Sequence, residues 1–201
     1  MALIRLSNIE KSFQDGEDRE NNVLRGINME VEKGEFIAIK GPSGSGKTTL
    51  LSILGTILRP DSGIYLLDGM EMTADGIDLA TIRNSRIGFV FQDHRLMPQY
   101  TVLENILLPA LATASRCTRE ELEYAHQLME LTHISKLAGQ YPHTLSGGEA
   151  SRVAVCRALI RKPLLVLADE PTGQLDKENA RNIASLFSEI NLRMRTTIVM
   201  V

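Results

Sequence analysis

The segment GPSGSGKT at residues 41–48 fits the pattern G-x-x-x-x-G-K-[ST] without a gap. Gly41, Gly44 and Gly46 let successive backbone N–H groups turn inward around Pro42, Ser43 and Ser45. The N-terminus of a following helix adds partial positive charge, so the loop can wrap a chain of phosphates. Lys47 would reach the β- and γ-phosphates, the Thr48 hydroxyl would bind Mg²⁺, and Thr49 falls nearer the α-phosphate. A glycine-rich turn that binds nothing is the alternative, and the strand and helix patterns on either side argue against it.

A second constellation closes an apolar run. Residues 164–168 are LLVLA, the pattern of a strand buried on both faces of a parallel sheet, and Asp169 and Glu170 follow where that strand emerges. In open α/β sheets ligands collect at that edge. Asp169 is suited to hold Mg²⁺, directly or through water, and Glu170 to polarise an attacking water. Phosphoryl transfer depends on such positioning and on charge neutralisation. Taken alone, the segment DEPT would read equally well as a solvated turn.

The third is LSGGE at residues 145–149. A serine and two glycines opening a helix make a second anion-binding terminus. One nucleotide does not need two such loops from one chain. The economical expectation is a head-to-tail dimer, in which Ser146, Gly147 and Gly148 touch the γ-phosphate held by the other copy.

These groups need a scaffold. Leu3, Ile4, Leu6 and Ile9 suggest a first strand and Ile27, Met29 and Val31 a second, with the polar residues 14–22 as a loop between them. Residues 36–39 form a short apolar strand that runs into the phosphate loop. After it, Leu50, Leu51, Leu54, Ile57 and Leu58 recur at helical spacing up to Pro60. Further strands are expected at 64–67, 87–91, 164–168 and 197–201. From about residue 92 to 163 helical patterns dominate, as in an insertion. Within it Thr118 and Glu121 have capping-box spacing ahead of an apolar face of Leu122, Ala125, Leu128 and Met129. A second helix should begin just after Gly148 and run through Val153, Cys156 and Leu159 to Arg161, Lys162 and Pro163. Asp176 can cap a last helix with Ala180, Ile183, Phe187 and Ile190 on one side.

Bulk properties narrow the class. A chain of 201 residues, 43% hydrophobic, is the size of one large globular domain. Its net charge of −3 offers no broad attraction for nucleic acid or anionic lipid. No apolar run approaches the roughly 18 to 20 residues that span a bilayer, and the start MALIRLSNIEKSF lacks signal-peptide organisation, which gives a cytoplasmic expectation. Cys117 and Cys156 lie far apart without a paired spacing and read as reduced packing residues, with no disulfide framework and no zinc site.

In this order, the phosphate loop, FVFQ, LSGGE and the acidic strand end resemble the nucleotide-binding domain of ABC (ATP-binding cassette) transporters, across essentially the whole chain. The resemblance implies an α/β fold: a P-loop NTPase core with a mostly parallel sheet, an N-terminal antiparallel β subdomain and an inserted helical subdomain. The core would take residues 1–92 and 163–201, and the helical part 93–162. ATP and Mg²⁺ are the implied ligands, with Glu170, Lys47 and Gln92 catalytic and Thr48, Gln92 and Asp169 around the metal. Phe13, in KSF, matches the adenine-stacking aromatic. Gln92 matches the glutamine that senses Mg²⁺ and the transmembrane partner, and Asp176, in GQLD, the aspartate at the dimer interface. Each has a plainer counterpart: Phe13 as a core aromatic, Gln92 as a solvated strand end, Asp176 as a helix cap that can also serve the interface. Arg152 and Arg157 on the signature helix read as structural or solvated.

The wording of IGFVFQDHRLMPQYTVLENI, YPHTLSGGE and ADEPTGQLD is similar to ATPases of lipoprotein release, macrolide export and related cell-envelope systems. There the ATPase acts by mechanotransmission on a membrane protein with four transmembrane helices and a large extracytoplasmic domain. That implies a homodimer in the ATP-bound state, held on the inner face of the cell membrane by an integral, permease-type partner, and no nucleic acid.

Some positions depart from the family. Ala150 and Ser151 stand where glutamines are usual, and Gln174 replaces a common asparagine; both changes look tolerable. The family follows its last core strand with a Thr-His pair whose histidine contacts the γ-phosphate, whereas here the sequence reads TTIVMV to residue 201. His94, His126, His133 and His143 read as surface or packing residues. The expectations are a coding sequence cut at this point, or a protein that binds ATP and turns it over slowly, with lowered stability because helices that cover the sheet are missing. Two other functions stay open. One is a cassette that needs ATP only to dimerise. The other is a soluble ABC protein of DNA repair or translation, although tandem cassettes, coiled coils and basic extensions are absent.

Overall fold

The apolar runs and the alternating runs sort into two different sheets. In the computed structural model, which describes residues 2–14, 20–173 and 175–201, β1 (Ala2–Gln14), β2 (Glu20–Glu32), β4 (Ser62–Leu67) and β5 (Met70–Glu71) form an antiparallel sheet in the order β2-β1-β4-β5. The second sheet, β3 (Phe36–Ala38), β6 (Ile87–Val90), β7 (Leu165–Ala168) and β8 (Thr197–Met200), is parallel in the order β3-β8-β7-β6.

Every residue of β7 is buried, and its side chains alternate between two cores. Leu165 and Leu167, with Val199 of β8, pack toward α1 (Lys47–Leu54) and the antiparallel sheet. Val166 and Ala168, with Ile198, pack toward α3 (Val102–Leu111), α4 (Arg119–Leu131), α5 (Gly147–Leu159) and α6 (Lys177–Met194). Each such fully buried Leu or Val contributes about 1.5–3 kcal/mol. The central strand therefore belongs to both cores and cannot move independently of either.

Three helices of the insertion carry reciprocal capping boxes: Thr101 with Glu104 on α3, Thr118 with Glu121 on α4, and Ser146 with Glu149 on α5. Each cap is worth about 1 kcal/mol. The helix α5 also presses directly on β6. A Cβ at Gly88 would lie 2.2 Å from the Ala158 carbonyl oxygen, so only glycine permits this approach.

The structure corrects five sequence expectations. The strands β1 and β2 extend through Gln14 and from Glu20, with Phe13 opposite Asn21 and Ser12 opposite Asn22, so only residues 15–19 of the expected loop remain, outside the described residues. Both faces of this hairpin end meet solvent, which is why polar residues form it. The helix α1 stops at Leu54 with Gly55 at its C-cap, and Ile57 lies beyond it, 54% exposed. Leu122 is 37% exposed, leaving Ala125, Leu128 and Met129 as the buried face of α4. Helix α5 starts at Gly147, because the Ser146 cap takes both glycines into the first turn. The helix α2 (Leu79–Arg86), capped by Asp78, and the short β5 were not anticipated; both are polar, and only Ile82 of α2 is buried. No described helix is long and apolar enough to cross a membrane.

Candidate functional site

A parallel sheet gathers the C-terminal ends of its strands along one edge. Here β3 leads into the phosphate loop, β6 into Phe91 and Gln92, and β7 into Asp169 and Glu170.

The phosphate loop ends at Gly46, which caps α1 with φ 84° and ψ 11° and contributes no side-chain hydrogen bond. A Cβ there would be strained by this φ and would fall 2.8 Å from Val23 Cγ1. No side chain therefore caps the first amides of α1, and the helix dipole adds partial positive charge there. Lys47 Nζ curls over the loop, donating to the carbonyls of Gly41 at 3.0 Å and Pro42 at 2.9 Å. Ser45 N–H closes the turn on the Pro42 carbonyl at 3.3 Å.

The loop opens on a cleft lined by Ser43, Gly44, Gly46, Lys47, Thr48 and Thr49, together with Phe13, Val23 and Glu170. Phe13 is 42% exposed, with Lys11 Nζ 5.6 Å from its ring centroid, so it is a surface aromatic at the cleft rather than a core residue. An exposed ring beside a phosphate-binding loop offers a stacking face for a base.

The Thr48 hydroxyl donates to Asp169 Oδ1 at 3.2 Å, which brings two hard oxygen ligands together across the sheet. Mg²⁺ commonly takes one or two protein oxygens and completes its shell with water and phosphate, and this pair fits that demand. Burial pushes the Asp169 carboxyl above its ordinary pKa, and the neighbouring Glu170 charge adds to the shift. The Thr48 hydrogen bond and the charges of Arg95 and Lys47 oppose it. Glu170 sits at φ 43°, a costly conformation for a non-glycine residue, held by its N–H on the Val201 carbonyl at 3.1 Å and by Gly173 N–H on its own carbonyl at 3.0 Å. Gln92 closes the group: a side-chain carbon at position 173 would stand 3.3 Å from Gln92 Nε2 and 3.4 Å from Glu170 Oε2, so both side chains border the same space.

The signature lies elsewhere. Ser146 N–H and Oγ both bond Glu149 Oε2, at 2.8 and 2.7 Å, and Glu149 N–H returns to Ser146 Oγ at 3.3 Å. Those bonds from Ser146 hold the Glu149 carboxyl below its ordinary pKa. Asp176 caps α6, accepting from Glu178 N–H at 3.0 Å and Asn179 N–H at 2.9 Å. The two termini adjoin, since a Cβ at Gly148 would come 3.0 Å from Asn179 Oδ1. Among the described residues, Ser146, Gly147, Gly148 and Asp176 are not part of the phosphate-loop cleft. Gln174 lies outside the described residues. None of the four histidines lines that cleft among the described residues; His94 is half-buried in the turn after Gln92, and His126, His133 and His143 are exposed.

Arg95 carries no sequence motif, yet its guanidinium lies 4.2 Å from the Phe91 ring centroid and its charge reaches Asp169. Arg157, read with Arg152 as structural or solvated, is structural, but the sequence did not point to its partners. Arg152 fits its structural assignment, donating to the Thr132 carbonyl at 2.8 Å, but Arg157 reaches into the turn after Gln92. Neither contact has a periodicity or motif that would announce it.

Residues 24–173 match the ABC transporter family. The lipoprotein-releasing system ATP-binding protein LolD 1 of Rhodopirellula baltica is 48% identical over 181 residues, covering 90% of this chain and 79% of that protein. LolD of Bacteroides thetaiotaomicron is 43% identical over 200 residues, 99% of this chain and 89% of its own length. The macrolide export ATP-binding/permease protein MacB of Rhodopirellula baltica is 41% identical over 201 residues, which is 99% of this chain and 29% of MacB. A solved dimeric ATP-binding cassette in a post-hydrolysis state, bound to ADP and Pi, superposes with a TM-score of 0.87 at 35% identity, over 98% of this chain and 87% of its own.

Proposed function

The chain belongs to the ABC transporter family, and from this premise we propose that it is an ATPase subunit whose ATP-bound copies close head to tail and drive a separate integral membrane protein of the lipoprotein-release or macrolide-export kind. One observation carries the dimer: the phosphate-loop cleft holds Lys47, Thr48 and Glu170, while the signature terminus, complete and capped, lies outside it in the same chain. A second copy turned end for end would supply Ser146, Gly147 and Gly148 to the γ-phosphate, with Asp176 beside them at the interface.

Within each composite site the residues divide the work. The amides of residues 41–48 and the Lys47 ammonium hold the phosphates, and Phe13 stacks on adenine. Thr48 and Asp169, with Gln92, would hold Mg²⁺, which supplies charge neutralisation at the phosphates when bound. Glu170 accepts a hydrogen bond from the attacking water and orients it in line with the γ-phosphorus. Its exposed carboxylate, on a backbone fixed by Val201 and Gly173, is placed for that task.

Residues 1–92 and 163–201 would then act as the catalytic core, and 93–162 as the arm that carries the signature. Between them Arg83, Arg95, Arg157 and Arg161 line a cleft together with Phe89 and Phe91. Arg161 is paired with Glu121 and Arg95 with Asp93, and the charge left by Arg83 and Arg157 suits an acidic cytoplasmic segment of the membrane partner, which would hold the protein on the inner face of the membrane.

A Glu170→Gln variant tests the proposal. It should bind Mg-ATP, hydrolyse it about 10²- to 10⁴-fold more slowly and elute as a dimer. A variant that stays monomeric at saturating Mg-ATP and high protein concentration contradicts it.

A further inference from the structure

The turn after Gln92 is an expensive conformation, and something must hold it. His94 and Arg95 are consecutive non-glycine residues with φ 57° and φ 45°. Such left-handed residues persist only where their surroundings over-determine them. Local bonds help, with His94 N–H on the Phe91 carbonyl at 3.0 Å and Arg95 N–H on the Asp93 carbonyl at 2.6 Å. Both are contained within the turn and fix nothing about its place.

The outside contact comes from the signature helix. Arg157 donates Nη2 to the His94 carbonyl at 2.6 Å and Nη1 to the Arg95 carbonyl at 2.7 Å. Two successive residues of one handedness point their carbonyls the same way, so a single planar guanidinium can take both. Arg157 is itself anchored, because the next residue, Ala158, is the one that lies against Gly88 of β6 with no room for a Cβ between them. The strand that delivers Gln92 and the helix that delivers Ser146 are thus joined twice, once by backbone contact and once by this fork.

We propose that Arg157 is a positioning residue for Gln92: by bonding the His94 and Arg95 carbonyls from α5, it fixes Gln92 relative to the helix that carries the signature. The proposal rests on the role given above to Gln92 at the metal and γ-phosphate. Its consequence is that nucleotide contact at the signature of one copy and glutamine placement in that same copy move as one body.

The test is single-turnover hydrolysis of ATP with protein in excess, alongside ATP affinity and thermal melting. Arg157→Ala should slow hydrolysis between about ten- and a hundredfold while ATP affinity changes by less than about twofold, since the phosphate loop is untouched. Arg157→Lys, which cannot fork, should fall between Arg157→Ala and the parent. Glycine at both 94 and 95 removes the conformational cost, so it should recover at least about threefold of the rate in the Arg157→Ala background. A merely structural loss would not recover. Combined with Gln92→Ala, Arg157→Ala should add little further loss. Parental hydrolysis by a folded Arg157→Ala protein overturns the proposal. So do multiplicative losses with an impaired Gln92→Ala and no glycine rescue, and these leave the role of Gln92 standing. A Gln92→Ala protein at the parental rate overturns the role of Gln92 first, and the clamp's function with it.

Discussion

Two helices in this chain open on glycines, yet their N-termini are finished in opposite ways. Helix α1 is opened by Gly46, which offers no side chain, so no side chain caps its first amides. Helix α5 is opened by Ser146, whose hydroxyl and amide are tied to Glu149 in a closed capping box. The first terminus is surrounded in its own chain by Lys47, Thr48, Asp169 and Glu170; the second stands apart from them. The difference separates an uncapped terminus from a capped one, which the proposed function reads as one that binds and one that closes. On the proposed function, one would be open to hold nucleotide in a single copy, and the other stable until a second copy brings the phosphate to it.

Substitutions can break this contrast, and the largest effect is expected at the first terminus. Lys47→Ala should reduce ATP affinity and lower kcat/KM for hydrolysis by about 10²- to 10³-fold, read by nucleotide binding and phosphate release. Ser146→Asp should behave differently. Aspartate still caps the Glu149 amide but loses the hydroxyl bond to the Glu149 carboxyl and faces that carboxyl's charge. The cost is modest and the buried face of α5 should absorb it, while the aspartate charge opposes the γ-phosphate. We expect ATP binding by the monomer within about twofold of the parent and hydrolysis lowered about tenfold or more, with the ATP-dependent dimer lost. Equal loss of monomer binding in both variants would erase the distinction between the two termini.

The same contrast explains what the sequence disclosed. The phosphate loop, the acidic strand end and the signature are local patterns, and each lies where its motif and flanking apolar runs imply. The core strands around β7 were readable because burial on both faces leaves a continuous apolar run. The extension of β1 and β2 was not, because Ser12, Gln14 and Asn22 pair in a solvent-exposed hairpin that has no apolar signature. The polar α2 escaped for the same reason. Ser146 as a cap was legible only in part: the spacing to Glu149 was present, but the glycines read as a loop rather than as the first turn of the helix. Arg157 was legible only as structural or solvated, and its partners were not, since they are backbone carbonyls 62 and 63 residues away.

Smaller effects sharpen the comparison. Ser146→Ala removes a cap worth about 1 kcal/mol and should lower the melting temperature of the nucleotide-free protein by about 2–4 °C. The smallest are the pH responses, which have opposite signs. Glu149 is held below its ordinary pKa, so its contribution is present above the carboxylate range and lost as pH falls through its lowered value. Glu149→Gln should therefore lower the melting temperature near pH 7, with the difference shrinking toward about pH 3. Solvent screening keeps that change small. Asp169 is raised by burial, so the stability linked to it is complete below the carboxylate range and lost as pH rises through its raised value. Asp169→Asn should raise the melting temperature of the nucleotide-free protein near pH 7 and lose that advantage toward about pH 3.

The central claim is that the two termini serve one nucleotide from two copies, and mixing two inactive proteins tests it most directly. Lys47→Ala retains a working signature, and Ser146→Asp retains a working phosphate loop. In a head-to-tail heterodimer one of the two sites pairs the intact halves. An equimolar mixture should therefore recover about a quarter of the parental hydrolysis rate, well above either variant alone. A mixture that hydrolyses no faster than the average of its two components would contradict the composite site.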